Sequence, residues 1–195
     1  EALTADESGA ARSIVEGDAT SVETAYVETL TPDEQDEYYA ESDRSSTDAT
    51  DALGDVPDVL QVLFGSYYAV GNAFVTFWQA ESGDVEPSNI DEVLERLPTS
   101  SGQLFEPSTY LDGGEPEEVT APEGIDDVFE FSSFGTDFLF LMLAERVDPL
   151  AALRATDGWR GDTYVSGWTG SRTGSLCVNA TIGLATPQDA TEMRS

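Results

Sequence analysis

Glu16 is the carboxylate whose setting most suggests chemistry. It lies in Arg12-Ser13-Ile14-Val15-Glu16-Gly17-Asp18-Ala19, where Ala11, Ile14, Val15, Ala19, Val22, Tyr26 and Leu30 recur at helical spacing. Position 16 falls at the edge of that apolar face, and the glycine after it leaves room for a second element to come close. Two readings stand side by side. Glu16 is a boundary carboxylate paired with Arg12 one turn earlier, or it is turned inward toward an element that the glycine lets approach.

The other candidates are weaker. Asn179-Ala180-Thr181 is a glycosylation sequon, so Asn179 is an acceptor if the chain is exported and an unmodified strand residue otherwise. Arg160-Gly161-Asp162 spells an adhesion tripeptide, which at the start of a predicted strand reads as coincidence. Carboxylate pairs of the kind glycosidases use cannot be singled out, because 39 acids supply too many of them. No Asp-x-Asp-x-Asp-Gly loop occurs, which leaves only weak, unspecific cation binding by oxygen ligands.

Composition excludes most familiar mechanisms. The 195 residues hold 39 acidic and eight basic side chains, no histidine, and a net charge of -31. All eight basic residues are arginine. Without histidine there is no Ser-His-Asp or Cys-His catalysis and no His-ligated metal site within this chain. Without lysine there is no Walker loop, and so few cations leave no basic patch for nucleic acid. The lone Cys177 excludes an internal disulfide framework. The longest unbroken apolar run, Phe138 to Leu143, is far shorter than the ~20 residues of a membrane span.

High net charge is a signature of disorder, yet 39% hydrophobic and 10% aromatic residues are ordinary for a packed domain. A folded chain with this surface suits a hypersaline medium, where the Debye length at 1 M is only ~3 Å and self-repulsion is screened. The absence of lysine agrees, since each lysine would lay a long apolar stem on the surface. The expectation is a protein of a halophilic archaeon. Its unfolding midpoint is expected to rise strongly with KCl or NaCl; a midpoint independent of salt contradicts this reading.

The elements that would position Glu16 are mainly helices. Thr4 and Glu7 have capping-box spacing ahead of the first, and Thr31-Pro32-Asp33-Glu34 opens a second. The Ser-, Thr- and Asp-rich stretch 42–55 reads as a mobile acidic loop. Pro57 begins the strongest helix, with Leu60, Phe64, Tyr67, Gly71, Phe74 and Trp78 on one stripe. Gly65 and Gly71 within it suggest close packing against a neighbour. A short helix capped by Ser88 runs from Asn89 to Leu97, and 99–122 reads as loops and single turns. Phe134 to Arg146 is helical despite Gly135, and Asp148-Pro149 starts a further helix that Gly158 ends. Two β-branched segments, 163–169 and 175–182, form a hairpin. The predicted class is α+β: a helical region over 1–158, a β-hairpin over 159–185, and a helix opening at Thr186-Pro187 that the last residues leave short. That short helix gives the expectation that the chain is a piece of something longer.

Four segments together resemble a family of secreted or membrane-anchored zinc-metallopeptidase-like proteins of the HExxH type. Glu16-Gly17-Asp18-Ala19 is similar to that family's Glu-Gly-x-Ala, and Gly71-Asn72-Ala73-Phe74-Val75 to its Gly-x-x-Phe-Val. Pro98 to Leu111 resembles its Pro-Ser-Thr-x-Gln-x-Leu-His-Pro-x-x-Tyr-Leu stretch, and Gly158 to Tyr164 its Gly-Trp-x-Gly-Asp-x-Tyr. The resemblance implies that Glu16 is the third ligand of a zinc whose other two ligands are the HExxH histidines. It also implies a peptide substrate and attack by a zinc-bound water in the intact protein. This chain departs from the pattern in two respects: the HExxH helix is absent, and Glu106 stands where the family has histidine. The isolated chain is therefore expected to hold no zinc and to be inactive. It would be the C-terminal portion of such a protein, with the missing N-terminal segment as its partner. Two alternatives belong to other classes: a non-catalytic envelope interaction module, and an acidic nucleic-acid mimic. The interspersed arginines speak against the mimic.

Overall fold

A computed structural model describes residues 3–82, 90–170 and 174–194. The chain divides into two compact units, residues 1–11 with 98–195, and residues 12–97. The architecture is α+β and mainly helical, with one three-stranded antiparallel sheet.

The described residues of the second unit are mainly helical. α1 (Ala5–Glu28) starts in the first unit and continues through the second. Its capping box forms as the sequence predicts, with Thr4 N–H donating to Glu7 Oε2 at 2.6 Å and Glu7 N–H to Thr4 Oγ1 at 3.1 Å. α2 is Pro32–Ala52 and α3 is Asp58–Ser82. α4 is only Asp91–Glu95. The predicted cap Ser88, with Asn89, lies outside the described residues.

The expected loop over 42–55 is not one: α2 runs through to Ala52, and only a turn at Leu53–Val56 separates it from α3. Ser, Thr and Asp cost at most ~0.7 kcal/mol each in a helix, and neither Gly nor Pro intervenes before Gly54. Thr47 Oγ1 donates back to Asp43 O at 2.9 Å, so the hydroxyl is absorbed by the helix it was expected to disrupt.

α1 and α3 meet at Gly17 and Gly71. A Cβ on Gly17 would lie 2.3 Å from the Gly71 carbonyl carbon, and one on Gly71 would lie 1.8 Å from Ser13 O. The backbones touch there, and no larger residue fits at either position. Gly65 has nothing within 4 Å, so the close packing inferred for it is absent. Ile14, Phe74, Val75, Ile90 and Val93 are the most buried apolar residues of this unit. α3 is also 25 residues long and apolar enough over 18 of them to meet the length and composition of a membrane span. Counting unbroken apolar runs missed that, because small polar residues interrupt the stretch.

The first unit is built on β1 (Asp127–Ser132), β2 (Trp159–Trp168) and β3 (Leu176–Leu184), in that spatial order. β2 and β3 make the predicted hairpin, with Tyr164 opposite Ala180 and Trp168 opposite Leu176. β1 pairs Phe131 with Val165, and a bulge at Phe129 breaks its alternation. No strand is expected there from the sequence, since a short run with a displaced residue shows no clean period of two. Thus 1–158 is not wholly helical. α5 (Gly102–Phe105) and α6 (Pro107–Leu111) are the single turns expected before it.

α7 (Gly135–Ala144) and α8 (Pro149–Thr156) pack together, and α7 also meets β2. Gly135 is what α7 requires rather than its weakness: its φ is +72°, and a Cβ would collide with the Asp6 carboxylate. Asp148 caps α8 by accepting from Leu150 N–H and Ala151 N–H. α9 (Pro187–Glu192) closes a full capping box at Thr186 and packs on α8 and β3.

Candidate functional site

Glu16 sits beside the Gly17–Gly71 crossing, and its side chain is 20% exposed. Arg12 Nε lies 3.6 Å from its Oε1, the partner one turn earlier that the sequence offered. Tyr68 donates to the same carboxylate, and that bond, with the carboxylate charge, holds the phenol's pKa above its ordinary value. The Arg12 guanidinium carbon is 5.4 Å from the ring centroids of both Phe64 and Tyr67, at cation–π distance. Glu16 is thus a part-buried carboxylate in an arginine–aromatic setting, flanked by the exposed apolar residues Val15, Phe64 and Tyr68. Asp18, also on α1, has a pKa raised by burial and then by Asp91.

This environment does not by itself fit a zinc ion. Glu16 supplies one carboxylate, already matched by a cation, and among the described residues no three Asp, Glu, His or Cys side chains converge as a metal site.

Asn179 lies on β3, and its Nδ2 donates to Glu123 O at 2.9 Å. The nitrogen that a glycan would occupy is therefore engaged in fastening a loop to the sheet. Asp162 of the adhesion-like tripeptide is buried and accepts four hydrogen bonds, from Ser133 Oγ, Phe134 N, Gly135 N and Trp159 Nε1. It anchors the start of α7 and is not displayed to a partner.

Sequence reasoning missed the polar cluster around it. Asp6 on α1 is 6% exposed and accepts from both the backbone N–H and the hydroxyl of Ser101, while Asp137 N–H donates to Ser101 Oγ at 3.1 Å. Burial pushes the Asp6 pKa up to about 6, with the charges of Asp162 and Asp137 adding to it and the two Ser101 bonds opposing. In a chain with so many acids, only the coupling of Thr4-x-x-Glu7 to a buried first turn could have marked Asp6 out. On the sheet, Tyr164 stacks on Phe134 at 4.2 Å, and burial followed by its bond to Glu130 pushes the phenol to about 12.

The first unit also contains a cavity of about 330 Å³. One wall comes from α5, α6 and the segment after them, with Gln103, Phe105, Glu106 and Glu115; the other comes from α8 and β2, with Arg154, Asp157, Trp159 and Arg160. Gly102 lets the two walls meet: a Cβ there would lie 2.6 Å from the Trp159 ring and 3.3 Å from Thr136 Oγ1. Trp159 is locked by its indole N–H, which donates to Asp162 Oδ1 at 3.0 Å. The buried Gln103 amide donates to Gly114 O and accepts from Thr99 N–H, fixing the opposite wall. The segments singled out in the sequence therefore meet in two pairs, Gly17 with Gly71 and Gly102 with Trp159.

No family model, no curated protein and no solved structure matches the chain.

Proposed function

We propose that this chain is the C-terminal portion of an extracellular, haloarchaeal zinc-metallopeptidase-like protein of the HExxH type. In that protein Glu16 completes a metal site whose other ligands lie on a segment outside this chain. The observation that carries the reading is the Gly17–Gly71 contact, which joins two of the resembling segments and holds Glu16 part-buried beside them. A glycine next to the carboxylate is needed at that crossing for a physical reason, and this supports the reading.

On this reading Arg12 and Tyr68 hold the carboxylate in place and offset its charge while the imidazole-bearing helix is missing. The exposed Val15, Phe64 and Tyr68 are the apolar surface that this helix would cover. The chain by itself is not a catalyst. The direct test is the coding sequence upstream of Glu1: an HExxH within some tens of residues supports the reading, and its absence from the gene removes the enzyme claim. A non-catalytic envelope module remains the second reading, favoured by the unpaired apolar surfaces of β1 and β3 at Phe129, Phe131, Leu176 and Val178.

A further inference from the structure

We infer that the cavity between α5–α6 and α8–β2 is a binding site for a small zwitterion, of the chemical class of a free dipeptide. This does not depend on the zinc reading, since Glu16 belongs to the other unit. Three observations carry it.

The first is the arginines. Only eight cations face 39 acids in the chain, yet Arg154 and Arg160 both line this one cavity. Neither guanidinium has a carboxylate within 4.0 Å among the described residues, although Glu106, Glu115 and Asp157 line the same space. Among the described residues, the side-chain hydrogen bond from Arg160 is a 3.3 Å contact from Nη1 to the neighbouring Trp159 O. With five N–H donors on each guanidinium, the pair is equipped for a carboxylate that the protein does not itself supply.

The second is how the walls are held. The indole N–H of Trp159 donates to Asp162 Oδ1, and the Gln103 amide is fixed between Gly114 O and Thr99 N–H, so both walls keep their places without a ligand.

The third is the distribution of charge and apolar surface. Arg154, Arg160 and Asp157 stand on the α8–β2 wall, which is net positive, and Glu106 and Glu115 on the wall from α5, α6 and the segment after them. A carboxylate and an ammonium at opposite ends of one molecule match that division. Trp159 and Phe105 offer apolar surface for what lies between them, and the volume falls in the ~300–1,000 Å³ range of small-molecule sites. A purely anionic ligand would be met by the arginines but would leave Glu106 and Glu115 unmatched, which is why a zwitterion is the better match.

The experiment is isothermal titration of the chain in molar KCl with three probes: glycyl-phenylalanine, its C-terminal amide, and its N-acetyl form. The expected result is saturable binding of the free dipeptide and at least ~10-fold weaker binding of each capped form, since each loses one charge-assisted contact. Arg154→Gln changes an exposed side chain, leaves the fold intact, and is expected to weaken the free dipeptide by a similar factor while leaving the amide unchanged. Equal binding of free and capped forms, or no saturable heat with any probe, overturns the assignment.

Discussion

Replacing Gly71 with alanine is expected to destabilise the second unit by about 3 kcal/mol or more, the upper range for forcing volume into a packed contact. The new methyl would sit 1.8 Å from Ser13 O, a backbone atom that cannot swing aside as a side chain end could. Either α1 and α3 separate along their crossing, or the helix bends, and both displace Phe74 and Val75 from burial. At the size of this chain the loss corresponds to a fall in Tm of roughly 6–12 °C. The matched control is Gly65→Ala on the same helix. Gly65 is exposed with nothing within 4 Å, so alanine there is expected to stabilise by about 1 kcal/mol through helix propensity alone. Thermal melts of the two variants in molar salt separate the close approach from any general effect of glycine. Equal shifts of the two midpoints would contradict the crossing on which the placement of Glu16 depends.

Asp6→Asn is expected to raise stability above pH 6 by up to about 3 kcal/mol and to flatten its pH dependence between about pH 4 and 6. The Asp6 pKa is raised from 3.8 to about 6, so between those values the folded chain binds a proton that the unfolded chain has released. Stability from this group is therefore fully present at low pH and is lost as pH rises through about 6. Asparagine keeps an oxygen for the Ser101 N–H and hydroxyl to donate to, and carries no charge to bury. The solvated surface carboxylates also become less repulsive as they protonate, in the same direction. The variant separates the two, because it removes only the buried group. Urea titrations at pH 4, 5, 6 and 7 give the comparison; parallel curves for the two proteins would show that Asp6 ionises freely in the fold.

Local chemistry made most of the elements legible. Thr4, Thr31, Asp148 and Thr186 announce helix starts, and Pro32, Pro149 and Pro187 stand at first helical positions, where a missing N–H costs nothing. The hairpin of β2 and β3 follows from its β-branched runs. What escaped was decided by longer-range structure. The 42–52 stretch looks like a loop by composition and is a helix because nothing in it breaks one. β1 is a strand because β2 offers it an edge, and its bulge hides the period.

The candidate site divides in the same way. Glu16 was visible because a carboxylate at the margin of an apolar stripe, next to a glycine, departs from its surroundings. Asp6 and Asp162 were not visible, because among 39 acids no residue type or spacing separates a buried carboxylate from a solvated one. Arg154 and Arg160 converge through the turn between α8 and β2, which sequence shows, onto a wall from α5 and α6, which it does not. Scarcity was the usable signal there: in so acidic a chain, two arginines six residues apart merit attention before any of the acids.

The central claim is that the Glu16 carboxylate belongs to a metal site shared with a segment outside this chain. The most direct measurement is zinc per polypeptide in the full product of the gene, purified in high salt, for the natural sequence and for Glu16→Gln. The account predicts close to one zinc for the first, and a loss of at least about tenfold in affinity for the second, as expected when one of three protein ligands is removed. Equal zinc in both, or none in either, would contradict it and leave Glu16 as the partner of Arg12 and nothing more.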